Sequence, residues 1–196
     1  MKAYYERRAP EYDDWYLGVG KWEDRDRPGW EAELEALRGA IEALPARHTL
    51  DVACGTGFLT RHLPGTIVGL DQSESMLDEA RRQAAGSEYV QGDALELQFR
   101  DASFERVFTA HFYGHLEDAD RARFLQEARR VAPELVVVDS SALHAGAIRE
   151  EWQERILNDG SRWEVYKRYF TPDELAGELG GGETIFAGHW FVAVRS

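Results

Sequence analysis

The sequence predicts an α/β fold with an open, mostly parallel sheet, and three observations carry that expectation. From about residue 46 to residue 140, short β-rich runs alternate with stretches of helical periodicity, the pattern of strand–helix–strand units joined by right-handed crossovers. The first run, Thr49-Leu50-Asp51-Val52-Ala53, passes straight into Cys54-Gly55-Thr56-Gly57, and glycines at that spacing mark a sharp turn where main chain can meet a ligand. Four of the five runs end at or just before an acid or a histidine-bearing turn. In open α/β sheets the ligand crevice lies outside the carboxyl ends of the strands, so these residues are expected to converge.

A chain of 196 residues is long enough for one domain with a full core. Its parts are read as an N-terminal helix and lid (1–30), a sheet core (46–140), an insertion (141–170) and a C-terminal helix and hairpin (171–196). Cys54 is the only cysteine, which excludes an internal disulfide and a Cys-based zinc cluster. No apolar run approaches the roughly 20 residues needed to span a bilayer, and Met1–Arg8 lacks the apolar stretch of a signal peptide, so a cytoplasmic location is expected. The formal net charge of −13 repels nucleic acid and anionic membrane. A small molecule is therefore the expected partner, with the chain acting as a monomer or homodimer.

In order, residues 2–17 place Tyr4, Tyr5, Ala9, Tyr12, Trp15 and Tyr16 near helical spacing, with Pro10 expected to bend or restart the helix. Gly18 to Gly29 reads as a polar loop holding Trp22, either a lid or a solvated connector. Leu34, Leu37, Ile41 and Leu44 predict a helix from Trp30, stopped by Pro45. His48–Ala53 is the first strand, and a helix is expected over Phe58–Leu63. Thr66–Asp71 is the second strand, followed by a helix with Ser73 as its N-cap. Glu88–Gln91, Arg106–Ala110 and Leu135–Asp139 are further strands, with a helix over 118–132 before the last of them. Beyond Ser140, Ile148–Leu157 reads as a helix, and Thr171-Pro172 as the capped start of another. The tail, from Glu183 to Val194, reads as two strands joined by a tight turn.

The acids narrow the ligand. A dinucleotide loop would need G-x-G-x-x-G, and no third glycine follows Gly57, which counts against a nicotinamide oxidoreductase; no Gly-Lys-Ser/Thr is present either. Asp51, at the end of the first strand, calls instead for a ligand with a cationic part. Asp71, at the end of the second, suits the two hydroxyls of a ribose. Asp93 or the backbone at Ala94 is placed to read the edge of an adenine, with Met76 against its face. Together these describe S-adenosylmethionine better than NAD or ATP. Cys54 reads as a small packing residue, since no activating partner is evident.

Thr49-Leu50-Asp51-Val52-Ala53-Cys54-Gly55-Thr56-Gly57, Val68-Gly69-Leu70-Asp71-Gln72-Ser73 and Gln91-Gly92-Asp93-Ala94 resemble, in order, three motifs of the class I SAM-dependent methyltransferases. The resemblance runs from about His48 to Asp139. It extends more weakly to Tyr5–Asp13, which is similar to the segment that closes over the cofactor in small-molecule methyltransferases of the quinone-biosynthesis type. The family often has Gly where Ala53 stands. The resemblance implies a Rossmann-like, seven-stranded sheet with helices on both faces and an antiparallel last strand. It also implies S-adenosyl-L-methionine as cofactor, S-adenosyl-L-homocysteine as product and no metal. The expected cofactor residues are Tyr12, Asp51, Ala53, Gly55, Gly57, Asp71, Gln72, Met76, Asp93, Ala94 and Ala110. Methyl transfer from a sulfonium needs chiefly position and desolvation. His111 and His115 are the candidates for a base or for positioning the acceptor. Trp22, Tyr113, Trp163, Tyr166 and Tyr169 are the expected acceptor wall. The acceptor atom stays open between O, N and C, and the alternative reading is a non-catalytic SAM-binding regulator or assembly factor.

Overall fold

The computed structural model describes all residues, 1–196. Seven strands form one sheet: β1 (Arg47–Val52), β2 (Gly65–Asp71), β3 (Glu88–Gln91), β4 (Arg106–Ala110), β5 (Glu134–Ser140), β8 (Glu183–Ala187) and β9 (Phe191–Arg195), in the order β3-β2-β1-β4-β5-β9-β8. The first five are parallel, and β9 runs antiparallel between β5 and β8. The strand order turns outward in opposite directions from β1 and β4, which leaves a crevice at their carboxyl ends.

The central strands are buried on both faces, so they read as unbroken apolar runs. In β5, Leu135 and Val137 enter one core while Val136 and Val138 enter the other, the alternation a strand imposes. On the first face lie α5 (Asp118–Val131), through Phe124, Ala128 and Val131, and α7 (Pro172–Glu178), through Leu175. On the second lies α3 (Trp30–Glu42), through Trp30, Leu34, Leu37 and Ile41. Two caps expected from the sequence are made. The Ser73 hydroxyl accepts from the Met76 amide at the start of α4 (Glu74–Gln83), and Thr171 and Glu174 form a reciprocal capping box at α7. At the N-terminus, α1 (Lys2–Arg8) ends in a 3-10 turn through Pro10 and the chain restarts as α2 (Asp14–Leu17), as a proline at that place requires.

Two expected helices are not formed. Residues Phe58–Leu63 hold only a 3-10 turn, Thr60–His62. Pro64 follows at once, and the short link returns directly to β2, with Phe58, Leu59 and Leu63 filling the core as a loop. Ile148–Leu157 is largely a strand, β6 (Glu150–Ile156), paired antiparallel with β7 (Arg162–Arg168). Ile148, Trp152 and Ile156 are four residues apart, a spacing that shares a face in a helix and in a strand alike. The remainder decides it, since exposure alternates strictly along β6, and Trp152 pairs across the hairpin with Tyr166. A short α6 (Ala142–Ala145) links β5 to the hairpin.

Candidate functional site

A cavity of about 330 Å³ opens at the carboxyl ends of β1, β2, β3 and β4. Its floor is the segments that leave those strands: Ala53 and Gly55, Leu70–Gln72, Gly92–Leu95, and Ala110–Phe112. Asp71 organises it. One carboxylate oxygen accepts the Gly55 amide at 3.0 Å and the other the Ser73 amide at 2.9 Å, so a single buried side chain ties the glycine turn to the start of α4. Burial raises the Asp71 pKa, against the lowering effect of those amides. The Ser73 cap in turn sets the first turn of α4 and brings the fully buried Met76 to the cavity wall. Asp93 lines the cavity while accepting the Leu95 amide at 2.8 Å. Of the expected cofactor residues, Tyr12, Ala53, Gly55, Asp71, Gln72, Met76, Asp93, Ala94 and Ala110 all line this space.

Gly57 does not line it. At φ +77° its Cβ position lies 3.3 Å from the Cα of Ala80 and from the Tyr89 hydroxyl, so this glycine allows α4 and β3 to pack against the turn. Ala53 and His111 take φ +57° and +54°, left-handed angles that cost a side-chain-bearing residue about 1–2 kcal/mol. Both lie just past strand ends and both line the cavity. The strain at residue 53 explains why glycine suits that place.

Asp51 is only 2 % exposed and does not line the main cavity; it lines a small adjoining recess with Tyr12, Ala53, Thr56 and Ala110, of which Tyr12, Ala53 and Ala110 also line the cavity. One oxygen accepts the Thr60 hydroxyl at 2.6 Å, and the other has no partner. Burial pushes its pKa up to about 7, with Thr60 opposing and Asp71 adding to the shift. A cationic ligand group reaching the recess binds the ionised form and must displace the proton below that value. Affinity for such a ligand is therefore expected to rise with pH up to about 7 and then level off. Calorimetric titration with S-adenosylmethionine from pH 5 to 9 checks this, and in Asp51→Asn the dependence should disappear.

The N-terminal segment closes the cavity from above. Met1, Tyr5 and Tyr12 line it, and the segment is latched at two points. Glu6 accepts the Glu74 and Ser75 amides at 3.0 and 3.1 Å, a carboxylate at the positive end of α4. Asp13 accepts from the Thr56 hydroxyl and from Gln83.

A second chamber, of about 280 Å³, lies between the N-terminal segment and the β6–β7 hairpin. Tyr5, Tyr12, His111 and His115 line both spaces and form the boundary between them. Neither nitrogen of His111 has a partner. His115 Nδ1 lies 2.6 Å from the Tyr166 carbonyl, so it carries the hydrogen there. Burial is the main cause that pushes each imidazole down to about 3, which keeps both neutral at physiological pH. Below them, the Asp139 carboxylate accepts from Lys167 Nζ at 2.6 Å and from the Gly114 and Ser140 amides, each at 2.7 Å.

The expected aromatic wall is divided. Trp22 and Tyr169 line the second chamber and Tyr166 the first. Tyr113 lines neither: it is buried in the core, with its hydroxyl donating to Glu178 at 3.0 Å, because the turn after β4 directs it inward. Trp163 lies against Tyr4; it shares a face of the hairpin with its cross-strand partner Arg155 and with Lys167, but it sits nearer the hairpin turn than Lys167 and lines neither chamber. Arg8, Arg155, Lys167 and His144 line the second chamber and were not marked by the sequence. They come from four separate segments, and an isolated Arg or Lys in so acidic a chain reads as a surface charge.

Residues 50–134 match a family model described as a methyltransferase domain. An O-methyltransferase of Pyrenophora dematioidea is 28 % identical over 160 residues, covering 71 % of this chain and 60 % of the relative. A demethylmenaquinone methyltransferase of Thermotoga maritima is 40 % identical over 96 residues, covering 46 % of this chain and 41 % of the relative. The chain thus spans less than two thirds of the length of either curated relative. Among solved structures, one described as a DhpI–SAH complex is 27 % identical with a TM-score of 0.73, covering 98 % of this chain and 92 % of that one. A DhpI–SAM–HEP complex superposes equally well, at TM-score 0.73, with 27 % identity and coverage of 99 % and 94 %. No helix is long and apolar enough to cross a membrane. With the sheet order, the reversed β9 and the cavity at the strand ends all in place, the chain has the fold of the class I S-adenosylmethionine-dependent methyltransferases, and its residues 50–134 match a methyltransferase domain.

Proposed function

We propose that this chain transfers a methyl group from S-adenosylmethionine to a small-molecule acceptor held in the second chamber. The observation that carries the reading is Asp71 at the carboxyl end of β2, lining a cavity whose floor is the segments leaving four parallel strands. The residues fit the cofactor. Each Asp71 oxygen accepts one backbone amide and keeps acceptor capacity for a ribose hydroxyl. Leu70, Met76 and Leu95 supply an apolar slot beside Asp93 for an adenine, and the unpartnered oxygen of Asp51 supplies negative charge for the methionine ammonium. When bound, S-adenosylmethionine provides an electrophilic methyl group on a sulfonium. The chain's part is to hold both reactants and exclude water. Tyr5 and Tyr12, shared by the two spaces, cover the passage between them, and the latches of Glu6 and Asp13 keep that cover shut.

The test is calorimetric titration with S-adenosylmethionine and S-adenosylhomocysteine, followed by transfer of labelled methyl to a panel of O-, N- and C-nucleophiles. Binding with turnover supports the reading. Binding without turnover across the panel supports a non-catalytic role, and no binding overturns both. His111 and His115, kept neutral and weakly basic by burial, are read as positioning groups in the wall. Substituting His111→Asn and His115→Gln is expected to lower kcat by less than about tenfold, since removing a general base costs about 10²–10⁴-fold. A larger loss that also removes a limb of the pH–rate profile would assign a base.

A further inference from the structure

The second chamber has an electrostatic character opposite to that of the chain. The protein carries a formal net charge of −13, yet Arg8, Arg25, Arg27, Arg155 and Lys167 all line this space, with Asp26 the one carboxylate among its lining residues. None of the four arginines makes an ion pair, although ion pairs are plentiful elsewhere. Arg25 and Arg27 lie over the rings of Trp22 and Trp30, and Arg8 over Tyr12. Arg155 makes its one side-chain hydrogen bond to Gln153, and its Nε is buried without a partner. The same chamber holds the unpartnered Nε1 of Trp22, both nitrogens of His111 and Nδ1 of His144. Buried polar atoms are satisfied in nearly every protein, so a cluster of them around one cavity indicates a ligand that supplies acceptors. Burial, and next to it the charge of Arg8, lowers the Arg155 pKa, as expected of cations gathered without a counter-ion.

We infer that the second chamber binds an oxyanion, carboxylate or phosphoryl, borne by the methyl acceptor and held by Arg155 with Arg8. A guanidinium offers a planar fork of donors matched to two oxygens of such a group. The rest of the acceptor lies against Trp15, Trp30, Trp190 and Tyr169, which provide an apolar surface. Lys167 is taken up by Asp139 at 2.6 Å, so its charge is already compensated and the arginines carry the site. The inference rests on the methyltransferase reading for the word acceptor, but the anion site itself does not depend on it.

The experiment uses the full chain and two pairs of probes, benzoate with benzamide and phenylphosphonate with its neutral diethyl ester. Each is titrated by calorimetry with and without saturating S-adenosylhomocysteine, whose own affinity is measured first. One or both anions are expected to bind at least tenfold more tightly than the neutral partner, with affinity falling as KCl is raised. The preferred anion distinguishes a planar from a tetrahedral group. Arg155→Gln and, separately, Arg8→Gln should weaken the anion at least tenfold while S-adenosylhomocysteine affinity stays within twofold, which also reports that the variants are folded. Arg155→Lys should restore part of the loss. Equal binding of charged and neutral probes, no binding of any probe, or an anion affinity unmoved in both arginine variants overturns the inference. If the anions bind as expected while S-adenosylhomocysteine does not, the oxyanion site stands and the methyltransferase reading falls.

Discussion

Asp71→Ala is expected to lower S-adenosylmethionine affinity by at least a hundredfold and to destabilise the fold. The side chain has two tasks. It presents both carboxylate oxygens to the cavity, and it satisfies the amides of Gly55 and Ser73. A hundredfold loss corresponds to about 2.7 kcal/mol, within reach of two lost hydrogen bonds to a charged group at about 1.5–3 kcal/mol each. The two amides, left without an acceptor, add about 1–3 kcal/mol each in unfolding free energy. Asp71→Asn separates the tasks, because its amide group keeps one acceptor oxygen. It should recover part of the stability and little of the affinity. Calorimetry and urea unfolding on both variants provide the check, and an alanine variant that binds S-adenosylmethionine within threefold of the parent would remove Asp71 from the proposed site.

Lys167→Met is expected to have the largest effect on stability. Lys167 and Asp139 are 5 % and 0 % exposed at their side chains and meet at 2.6 Å. For Asp139, burial pushes the carboxyl up, while the Lys167 ammonium and the hydrogen bonds it accepts pull it further down, so it is ionised in the folded chain. Removing one partner of such a pair leaves a buried charge uncompensated, at about 3–5 kcal/mol, or roughly 6–20 °C in Tm for a chain of this size. The pH dependence has a definite sign. In the parent, the lowered carboxyl contributes stability that is present above its unfolded pKa and lost as pH falls through the folded value. In Lys167→Met the carboxyl is raised instead, so the deficit is greatest at neutral pH and shrinks towards pH 4. Adding Asp139→Asn to Lys167→Met should recover part of the loss at pH 7. Urea unfolding at pH 7 and pH 5 reads both effects, and a single variant within 1 kcal/mol of the parent at pH 7 would show that the pair is not holding the hairpin to the sheet.

The lining of the strand-end cavity, the proposed cofactor site, was legible in the sequence because its residues sit at positions the backbone dictates. An acid or a glycine at the carboxyl end of a parallel strand must face the crevice, and Gly55, Asp71, Asp93 and Ala94 do. Gly57 and Asp51 share the motif but not the placement. One spares room for Ala80 and the other turns into a recess, because local spacing does not say which side of a turn meets the neighbouring helix. The second chamber, the proposed acceptor site, was legible only as a region. The aromatic segments were marked, but Tyr113 and Trp163 line neither chamber while Arg8 and Arg155 line the second. Which face of β6 turns inward depends on reading it as a strand, and its residues four apart fit a helix equally.

From its own residues the chain therefore determined the parallel core and the seat of Asp71, since hydrophobic period, caps and glycine turns act over a few residues. The antiparallel return of β9 between β5 and β8 was implied only by family resemblance, and the structure bears it out. Tertiary structure alone decided what surrounds the second chamber. Its arginines, histidines and tryptophans come from the N-terminal segment, the turn after β4, α6, the hairpin and the β8–β9 turn, and burial, not residue type, left His111 uncharged and the Arg155 nitrogen without a partner. Desolvation and long-range charge depend on distances across the fold, and no local pattern in the sequence encodes those distances.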